Sequence, residues 1–377
     1  MKYFLIAGEA SGDLHGANLM KALKEEDPQA TFRYLGGDRM EEAAPGRVIH
    51  YREMAYMGYV EVLMHLRAIS RNMKICKETI LDFHPDVVIL IDYPGFNLRM
   101  AAFAHSHGFR VFYYISPKLW AWKQYRVKKV KAFVDRMFII LPFEKEFYRR
   151  FGIETEYLGN PVIDEVALRK KNLLHRHDFL AMLDLPDSPV IALLPGSRKQ
   201  ELQHNLPVML QMVKEYPDHQ FIIAGAPAFS EKEYVPYLTG TDVKVVFNST
   251  YHLLHAAEAA LVTSGTATLE TALMEVPQVV MYRMNSFSYH VGKHFVNVEY
   301  ISLVNLILGK EAVPELIQYD VNPGRVKTEL KKIVNDTPER RQMLDDYRRL
   351  QEIMGEPGVS GRVARRMFES LMRLRRV

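Results

Sequence analysis

The sequence has only one cysteine, Cys76, among its 377 residues, and no apolar run long enough to cross a membrane. A single cysteine excludes an internal disulfide and is typical of a reducing compartment. A bilayer-spanning helix needs roughly 20 apolar residues. The N-terminal residues 1–9 also lack the long apolar stretch and the small-residue cleavage site of a signal peptide. These absences predict a cytoplasmic protein.

Several motifs that bind metals or nucleotides are also missing from the sequence. There is no His-Glu-x-x-His, no cysteine cluster and no Asp-x-Asp pair. The first loop, 8–13, contains neither G-x-G-x-x-G nor the Lys-Ser/Thr pair of a P-loop. The net charge of +4 is too small to indicate nucleic acid on its own. We therefore expect no metal, no cofactor and no nucleic-acid partner.

The main positive pattern is a short apolar run, a turn and an amphipathic helix, repeated through the chain. Short runs of this kind alternating with helices predict parallel sheets covered on both faces. We predict an α/β protein with two doubly wound, Rossmann-like domains facing each other across a cleft, at 1–160 and 161–322, and a helical tail at 323–377. The predicted strands are 3–7, 87–91, 111–115, 137–141, 190–194, 220–224, 243–247, 259–262 and 278–282.

Two loops in the second half, 194–198 and 263–270, have the composition of a diphosphate site. Each follows an apolar run and opens a helical pattern. Glycine lets the backbone approach a ligand closely, and the N-terminus of a helix offers unpaired N–H groups. Arg198 adds a fixed positive charge. Glu270 lies one helical turn beyond its loop, where a carboxylate can hold ribose hydroxyls.

Two polar loops follow apolar runs in the first half, and each has two interpretations. In the loop 8–13, Asp13 lies near the cap of the next helix, or Glu9 faces the cleft and binds a sugar hydroxyl. Asp92 ends a strand pattern, at the ligand edge of the sheet. It either caps the helix that begins near Asn97 or acts as a general base, because a carboxylate in a partly dry cleft has a raised pKa.

The segment 54–69 is unusually apolar for a surface helix. Met57, Val60 and Met64 lie outside the stripe that would cover a sheet. The segment is either buried on two sides or holds acyl chains, for which flexible methionine is well suited. Both tryptophans of the chain precede the basic run 126–131, a combination that suits an anionic membrane surface, base stacking or a packed loop.

These motifs, together and in order, resemble the lipid A disaccharide synthase family, whose members are inverting glycosyltransferases of the two-domain GT-B fold. The resemblance extends over nearly the whole chain. The sequence motifs that carry it are GEASGD at 8–13, MGYVEVL at 57–63, IDYPGFN at 91–97, ISP and WAW within 115–122, LPFE at 141–144, LPGSR at 194–198, SGTATLE at 264–270, YRM at 282–284 and SLVNL at 302–306.

The resemblance implies that UDP-2,3-diacylglucosamine donates its sugar to the 6-hydroxyl of 2,3-diacylglucosamine 1-phosphate. The products would be a β-1,6-linked disaccharide 1-phosphate and UDP. The resemblance also implies that Asp92 is the catalytic base and that Arg198 contacts the diphosphate and acts in catalysis. The other implied substrate-binding residues are Glu9, Ser11, Gly12, Asp13, Ser197, Ser264, Gly265, Thr266, Glu270, Arg283, Met284 and Asn305.

The same resemblance implies a peripheral protein on the cytoplasmic face of the inner membrane, and a homodimer that exchanges C-terminal elements. The residues implied for acyl chains and membrane contact are Met57, Val60, Leu63 and Met64. The chain departs from the family pattern at Gly95, where members often have a second acidic residue. Two alternatives remain: another UDP-sugar enzyme such as a UDP-N-acetylglucosamine 2-epimerase, and a non-catalytic lipid or nucleotide binder.

Overall fold

The computed structural model describes residues 1–54, 66–283 and 299–375. The chain forms two compact units, Met1–Pro161 with Pro357–Val377, and Val162–Glu356. Each unit contains one parallel β-sheet with helices packed against it. The predicted α/β class with two parallel sheets is therefore confirmed.

The first unit contains a seven-stranded sheet in the order β3-β2-β1-β4-β5-β6-β7. β1 pairs with both β2 and β4. The chain adds β2 and β3 on one side of β1 and then crosses to the other side, where it adds β4 to β7. In such a sheet, ligands bind beyond the carboxyl ends of the strands where the order reverses. The strands are Lys2–Ala7 (β1), Thr31–Gly36 (β2), Arg47–His50 (β3), Val87–Ile91 (β4), Val111–Tyr114 (β5), Arg136–Ile139 (β6) and Glu156–Tyr157 (β7).

The central strands of this sheet are buried on both faces, as their uninterrupted apolar sequences require. In β1, Tyr3 and Leu5 pack into the hydrophobic cluster on one face, whereas Phe4 and Ile6 pack into the cluster on the other. This is the two-residue period of a strand. The helices of the unit are Ala10–Glu26, Asp38–Ala43, Leu66–Phe83, Pro94–Ser106, Val127–Phe133, Glu144–Arg149 and Val359–Arg375.

The last helix, Val359–Arg375, belongs to the first unit although it follows the second in sequence. Val363 and Met367 pack in the same cluster as Leu19 and Leu23 of helix Ala10–Glu26. The helix buries Val363 and Met367 in this core and exposes Arg362 and Arg365, which is the arrangement expected of an amphipathic helix. This packing fixes the C-terminal helix on the first sheet of its own chain.

The second unit contains a six-stranded parallel sheet in the order β10-β9-β8-β11-β12-β13. The order reverses between β8 and β11, which pair with each other. The strands are Val190–Leu194 (β8), Gln220–Gly225 (β9), Lys244–Phe247 (β10), Ala257–Thr263 (β11), Gln278–Tyr282 (β12) and Glu315–Ile317 (β13). The helices are Val162–Lys170, Arg176–Ala181, Lys199–Glu215, Val235–Leu238, Thr250–Ala256, Thr266–Leu273, Leu303–Leu308, Pro323–Val334 and Pro338–Met354.

Candidate active site

The first candidate site lies at the carboxyl ends of β1 and β4, where the order of the first sheet reverses. Residues Gly8 and Glu9 follow β1, and Asp92 and Tyr93 follow β4. The two loops that the sequence singled out in this half are therefore neighbours. Their proximity follows from the parallel pairing of β1 with β4.

Gly8 is required by the position of the Tyr93 ring. A Cβ atom at residue 8 would lie 2.3 Å from that ring, well inside contact distance. The Tyr93 hydroxyl donates a hydrogen bond to the Met54 carbonyl oxygen, 2.6 Å away, and this bond fixes the ring over the glycine. Any larger residue at position 8 would push Tyr93 away and disturb the neighbouring Asp92 backbone.

Asp92 and Tyr93 both have left-handed backbone conformations, with φ values of 41° and 48°. Such conformations are costly outside glycine and persist only where the surroundings hold them. The Asp92 carbonyl oxygen accepts hydrogen bonds from the Tyr113 hydroxyl at 2.6 Å and from Asn97 Nδ2 at 2.7 Å. The Asn97 amide also donates to the Ile91 carbonyl oxygen at 3.1 Å. These contacts position Asp92 at the end of its strand.

The surroundings of Asp92 raise the pKa of its carboxyl toward neutrality. Burial raises the pKa of its carboxyl to about 6, the Lys118 ammonium opposes that rise, and the Glu9 carboxylate adds to it. A carboxylate with this pKa is ionised at pH 7 and basic enough to accept a proton from a hydroxyl. The helix beyond begins at Pro94 with Tyr93 as its N-cap, so the alternative that Asp92 caps this helix is wrong.

The other predicted residues of the first loop differ in their surroundings. Glu9 is the N-cap of helix Ala10–Glu26, and Ser11 is exposed. Gly12 is buried beside Ala7. Asp13 is buried, and its carboxylate accepts hydrogen bonds from backbone N–H groups at residues 37, 39 and 40. Asp13 thus lies in the first turn of helix Ala10–Glu26, near its cap as expected, but its carboxylate binds the start of helix Asp38–Ala43.

In the second unit, the loop between β8 and helix Lys199–Glu215 is built around Glu201. Gly196 has a φ of 109°, and a Cβ atom there would lie 2.5 Å from Glu201 Oε2. The Glu201 carboxylate accepts hydrogen bonds from the backbone N–H groups of Ser197 and Arg198, at 2.9 and 3.2 Å. The Arg198 side chain is 63% exposed and also contacts Glu201, with 3.3 Å between Nη1 and Oε1. The loop thus presents a guanidinium at the carboxyl end of β8.

The loop that follows β11 presents a helix N-terminus at the same edge of the second sheet. The Ser264 N–H donates to the Met281 carbonyl oxygen at 2.9 Å, and its hydroxyl donates to the Ile301 carbonyl oxygen at 3.0 Å. Gly265 and Thr266 are exposed where helix Thr266–Leu273 begins. An exposed helix start with no side chain at position 265 lets an anion approach the backbone N–H groups.

Two further predicted residues have side chains engaged inside the second unit. Glu270 accepts a 2.5 Å hydrogen bond from the Tyr251 hydroxyl, and burial raises the pKa of its carboxyl. Asn305 is fully buried, and its side chain makes four hydrogen bonds of 2.8 to 2.9 Å to residues of the segment 312–315. Both side chains brace the loops around them, and direct contact with substrate stays a prediction.

The remaining predicted residues fall into two groups. Arg283 is exposed at the end of β12, where its Nη1 lies 3.4 Å from the Val321 carbonyl oxygen. The predicted residues that lie outside the described part of the chain are Met57, Val60, Leu63, Met64 and Met284. Across residues 1–54, 66–283 and 299–375, no group of three or more His, Cys, Asp or Glu side chains is arranged to hold a metal ion.

Sequence comparison decides between the alternatives for this chain. Residues 3–359 match the family described as lipid-A-disaccharide synthetase. The chain belongs to this family. The lipid-A-disaccharide synthase of Geobacter sulfurreducens is 39% identical over 377 residues, which cover 98% of this chain and 97% of that protein. The synthase of Syntrophus aciditrophicus is 39% identical over 368 residues, covering 96% and 95%. The resemblance inferred from the motifs is confirmed.

Comparison with solved structures shows which fold this chain has. A UDP-GlcNAc 2-epimerase from Neisseria meningitidis, bound to UDP-GlcNAc, gives a TM-score of 0.70 at 14% identity, over 99% of this chain and 100% of that one. The calicheamicin glycosyltransferase CalG4 gives 0.62 at 15% identity, over 99% and 98%. Identity this low shows the fold alone. The predicted GT-B class is confirmed, and the epimerase likeness does not favour an epimerase reaction.

Proposed function

We propose that Asp92 and the loops around Arg198 and Thr266 carry out the lipid-A-disaccharide synthase reaction of this family. The enzyme joins UDP-2,3-diacylglucosamine to 2,3-diacylglucosamine 1-phosphate and releases UDP. The single observation that supports the residue assignment best is the Asp92 carboxyl. It lies at the reversal point of the first sheet, on a constrained backbone, with a pKa raised to about 6.

In the proposed mechanism, Asp92 takes the proton of the acceptor 6-hydroxyl as its oxygen attacks the anomeric carbon of the donor. The new carbon–oxygen bond forms on the face opposite the diphosphate, and the bond to the diphosphate breaks, which inverts the configuration. The electron pair leaves with UDP. The pKa of Asp92 suits this step, because it is ionised before the attack and accepts the proton during it.

The departing diphosphate carries the charge that develops in the transition state. In the proposal, the Arg198 guanidinium and the N–H groups at the start of helix Thr266–Leu273 stabilise that charge. Both groups lie at the carboxyl edge of the second sheet, beyond the neighbouring strands β8 and β11. Glu270, one turn into that helix, is the proposed partner of the ribose hydroxyls.

The reaction can be tested with the purified chain and both acylated sugars, using mass spectrometry to detect products. We expect disaccharide 1-phosphate and UDP in equal amounts, and no UDP release when the acceptor is omitted. An epimerase would instead convert UDP-N-acetylglucosamine on its own to its 2-epimer. Epimer formation without disaccharide would overturn the proposed function.

Activity is expected to survive an excess of EDTA, because Arg198 and the helix N-terminus supply the positive charge that a metal ion supplies in other transferases. The measurement is the initial rate of UDP release with EDTA and with added Mg²⁺. The matched control is a Mg²⁺-dependent transferase in the same buffer, which EDTA should stop. A loss of activity restored by Mg²⁺ would reveal a metal site in the enzyme.

Membrane attachment is proposed from a surface in the first unit that we call the aromatic-basic surface, formed by Trp122, Tyr125, Lys128, Lys129 and Lys131. Trp122 is 42% exposed and Tyr125 is 66% exposed, and the three lysines are exposed beside them. Aromatic rings with lysines suit the interface of a membrane containing anionic lipids. In the described part of the chain, no helix combines the length and apolarity that a bilayer crossing requires.

Replacing Lys128, Lys129 and Lys131 with glutamine is expected to weaken binding to anionic vesicles by roughly tenfold or more. The reason is that each lysine near an anionic surface contributes about 1 kcal/mol. Co-sedimentation with vesicles at low and high salt measures the effect. The control is glutamine at the exposed Lys170 and Lys171 of the second unit. Equal binding by both variants would contradict the proposed surface.

The apolar segment 54–69 is the proposed site for acyl chains. Serine at Met57, Val60 and Met64 is expected to raise the KM for acylated substrate and leave UDP affinity unchanged, because the proposed UDP loops lie in the other unit. An unfolded variant would favour the alternative that the segment is buried on two sides. A folded variant with unchanged KM and vesicle binding would point to a subunit contact instead.

We also propose that the protein is a homodimer. Light scattering should then give about twice the chain mass of 43.6 kDa. The proposed exchange of C-terminal elements would move helix Val359–Arg375 from its own chain, where it packs on helix Ala10–Glu26, to the same surface of a partner. A mass of one chain at all concentrations would contradict the dimer.

A further inference from the structure

The first unit contains a buried carboxylate that the proposed mechanism does not use. Glu144 is 1% exposed and begins helix Glu144–Arg149. Its carboxylate accepts hydrogen bonds from the Ser116 hydroxyl at 2.5 Å and from Trp120 Nε1 at 3.1 Å. It also accepts from the backbone N–H groups of Ile140 and Leu141, at 3.3 and 3.0 Å. A buried carboxylate with four donors is held firmly in place.

The two side chains that Glu144 binds lie on either side of Lys118 in the loop 116–120. This loop follows β5, and residue Ile115 has a left-handed φ of 63° where the chain turns out of the strand. Ser116 is buried, whereas Lys118 is exposed between the two anchored positions. Glu144 therefore fixes the backbone from which the Lys118 side chain projects.

Lys118 acts on the proposed base. The Asp92 backbone N–H donates a hydrogen bond to the Ile115 carbonyl oxygen at 3.2 Å, which places Asp92 beside the start of the loop 116–120. From this loop, the positive charge of Lys118 opposes the rise in the pKa of the Asp92 carboxyl that burial causes. An ammonium group stabilises the ionised form of a nearby carboxylate. The effect depends on distance, so any movement of the loop changes the proton affinity of Asp92.

We infer that Glu144 is a positioning residue for the transfer reaction, which holds the loop 116–120 so that Lys118 keeps Asp92 ionised. The inference rests on the proposed function of Asp92 as the base. The groups that face Glu144 are Ser116 and Trp120 from the loop and the N–H groups of 140 and 141. Burial raises the pKa of the Glu144 carboxyl to about 7, and these donors oppose the rise. Burial also raises the pKa of Tyr148 in the same helix, and the ionised Glu144 carboxylate adds to that rise. Glu144 is therefore inferred to act on Asp92 through the loop that carries Lys118.

The experiment measures kcat against pH for four variants of the full chain. Lys118→Met is expected to raise the apparent pKa of the acidic limb by on the order of half a unit, because the opposing positive charge is gone. Glu144→Gln is expected to shift the limb in the same direction, because the amide cannot accept from all four donors and the loop moves. The double variant should match Lys118→Met alone, because both changes act through one charge. The matched control is Glu329→Gln, a buried carboxylate of the second unit, which should leave the limb unchanged.

Each outcome bears on the inference. The inference would be overturned if Lys118→Met shifted the acidic limb and Glu144→Gln did not. It would also be overturned if the two shifts added in the double variant, or if Lys118→Met left the limb unchanged. If Glu144→Gln does not fold, Trp120→Phe removes only the Nε1 donor, and a smaller shift in the same direction is the supporting result. An unchanged limb in Trp120→Phe would then contradict the inference. Failure of the base assignment is separate, since it would appear as an acidic limb that survives Asp92→Asn.

Discussion

Asp92→Asn is expected to lower kcat by about 10²–10⁴-fold, because an isosteric amide cannot accept the proton of the acceptor hydroxyl. The affinity for UDP should stay unchanged, since the proposed UDP loops belong to the other unit. The acidic limb of the rate profile should also disappear. As the proposed base, Asp92 would act only when ionised, and burial raises its pKa to about 6, so activity of the parent enzyme is expected to fall as the pH drops through about 6.

The matched control for this variant is Asp135→Asn. Asp135 directly precedes β6 and so lies at the amino ends of the strands, whereas Asp92 lies at their carboxyl ends. Asp135 Oδ1 forms an ion pair with Arg110 Nη1, 3.6 Å away. It should keep nearly normal kcat, which separates loss of a base from loss of a negative charge on the first unit. Near-normal turnover in Asp92→Asn would remove Asp92 from the catalytic role.

Arg198→Ala is expected to weaken UDP binding by roughly 10–100-fold and to lower kcat by about 10–10³-fold. The charge on the diphosphate grows as the bond to the sugar breaks, so an arginine in the proposed position should contribute more in the transition state than in the bound substrate. Stability should change little, because the Arg198 side chain is 63% exposed and an ion pair of such a side chain, here with Glu201, contributes little to stability. Calorimetry with UDP and steady-state kinetics measure the two effects.

Two comparisons make the Arg198 test specific. Lysine at position 198 should recover only part of the loss, because it keeps the charge but lacks the planar fork that binds two phosphate oxygens. Alanine at the neighbouring exposed Lys199 should have little effect. If Arg198→Ala bound UDP as tightly as the parent, the arginine would not contact the diphosphate.

Apart from β10, in which Lys244 is exposed, the strands that the sequence predicted are those whose side chains are mostly buried on both faces. β4 and β8 are uninterrupted apolar runs, and their predicted bounds match the structure. β2 was missed because Thr31 and Arg33 are exposed, so the run is broken by polar residues. β7 and β13 have two and three residues, too few for a periodic pattern.

The loops of the candidate site were predictable because their polar residues directly follow apolar strands. The residues that contact these loops through hydrogen bonds or charge could not be predicted. Tyr113 holds the Asp92 carbonyl oxygen across 21 positions of sequence, and Lys118 acts on Asp92 from the next loop. Asn97 belongs to a motif that the sequence singled out. Its hydrogen bonds to the backbone of β1 and β4 could not be predicted, because they depend on the order of the strands in the sheet. Contacts of this kind leave no local pattern, because they arise from tertiary packing.

The linkage and configuration of the product test the central claim most directly. The claim is that Asp92 activates the acceptor 6-hydroxyl for a single displacement at the donor sugar. Proton and carbon NMR of the purified disaccharide should then show a β linkage at oxygen 6, with the 1-phosphate of the acceptor retained. An α linkage, or a bond to any other hydroxyl, would contradict a single inverting displacement by the 6-hydroxyl.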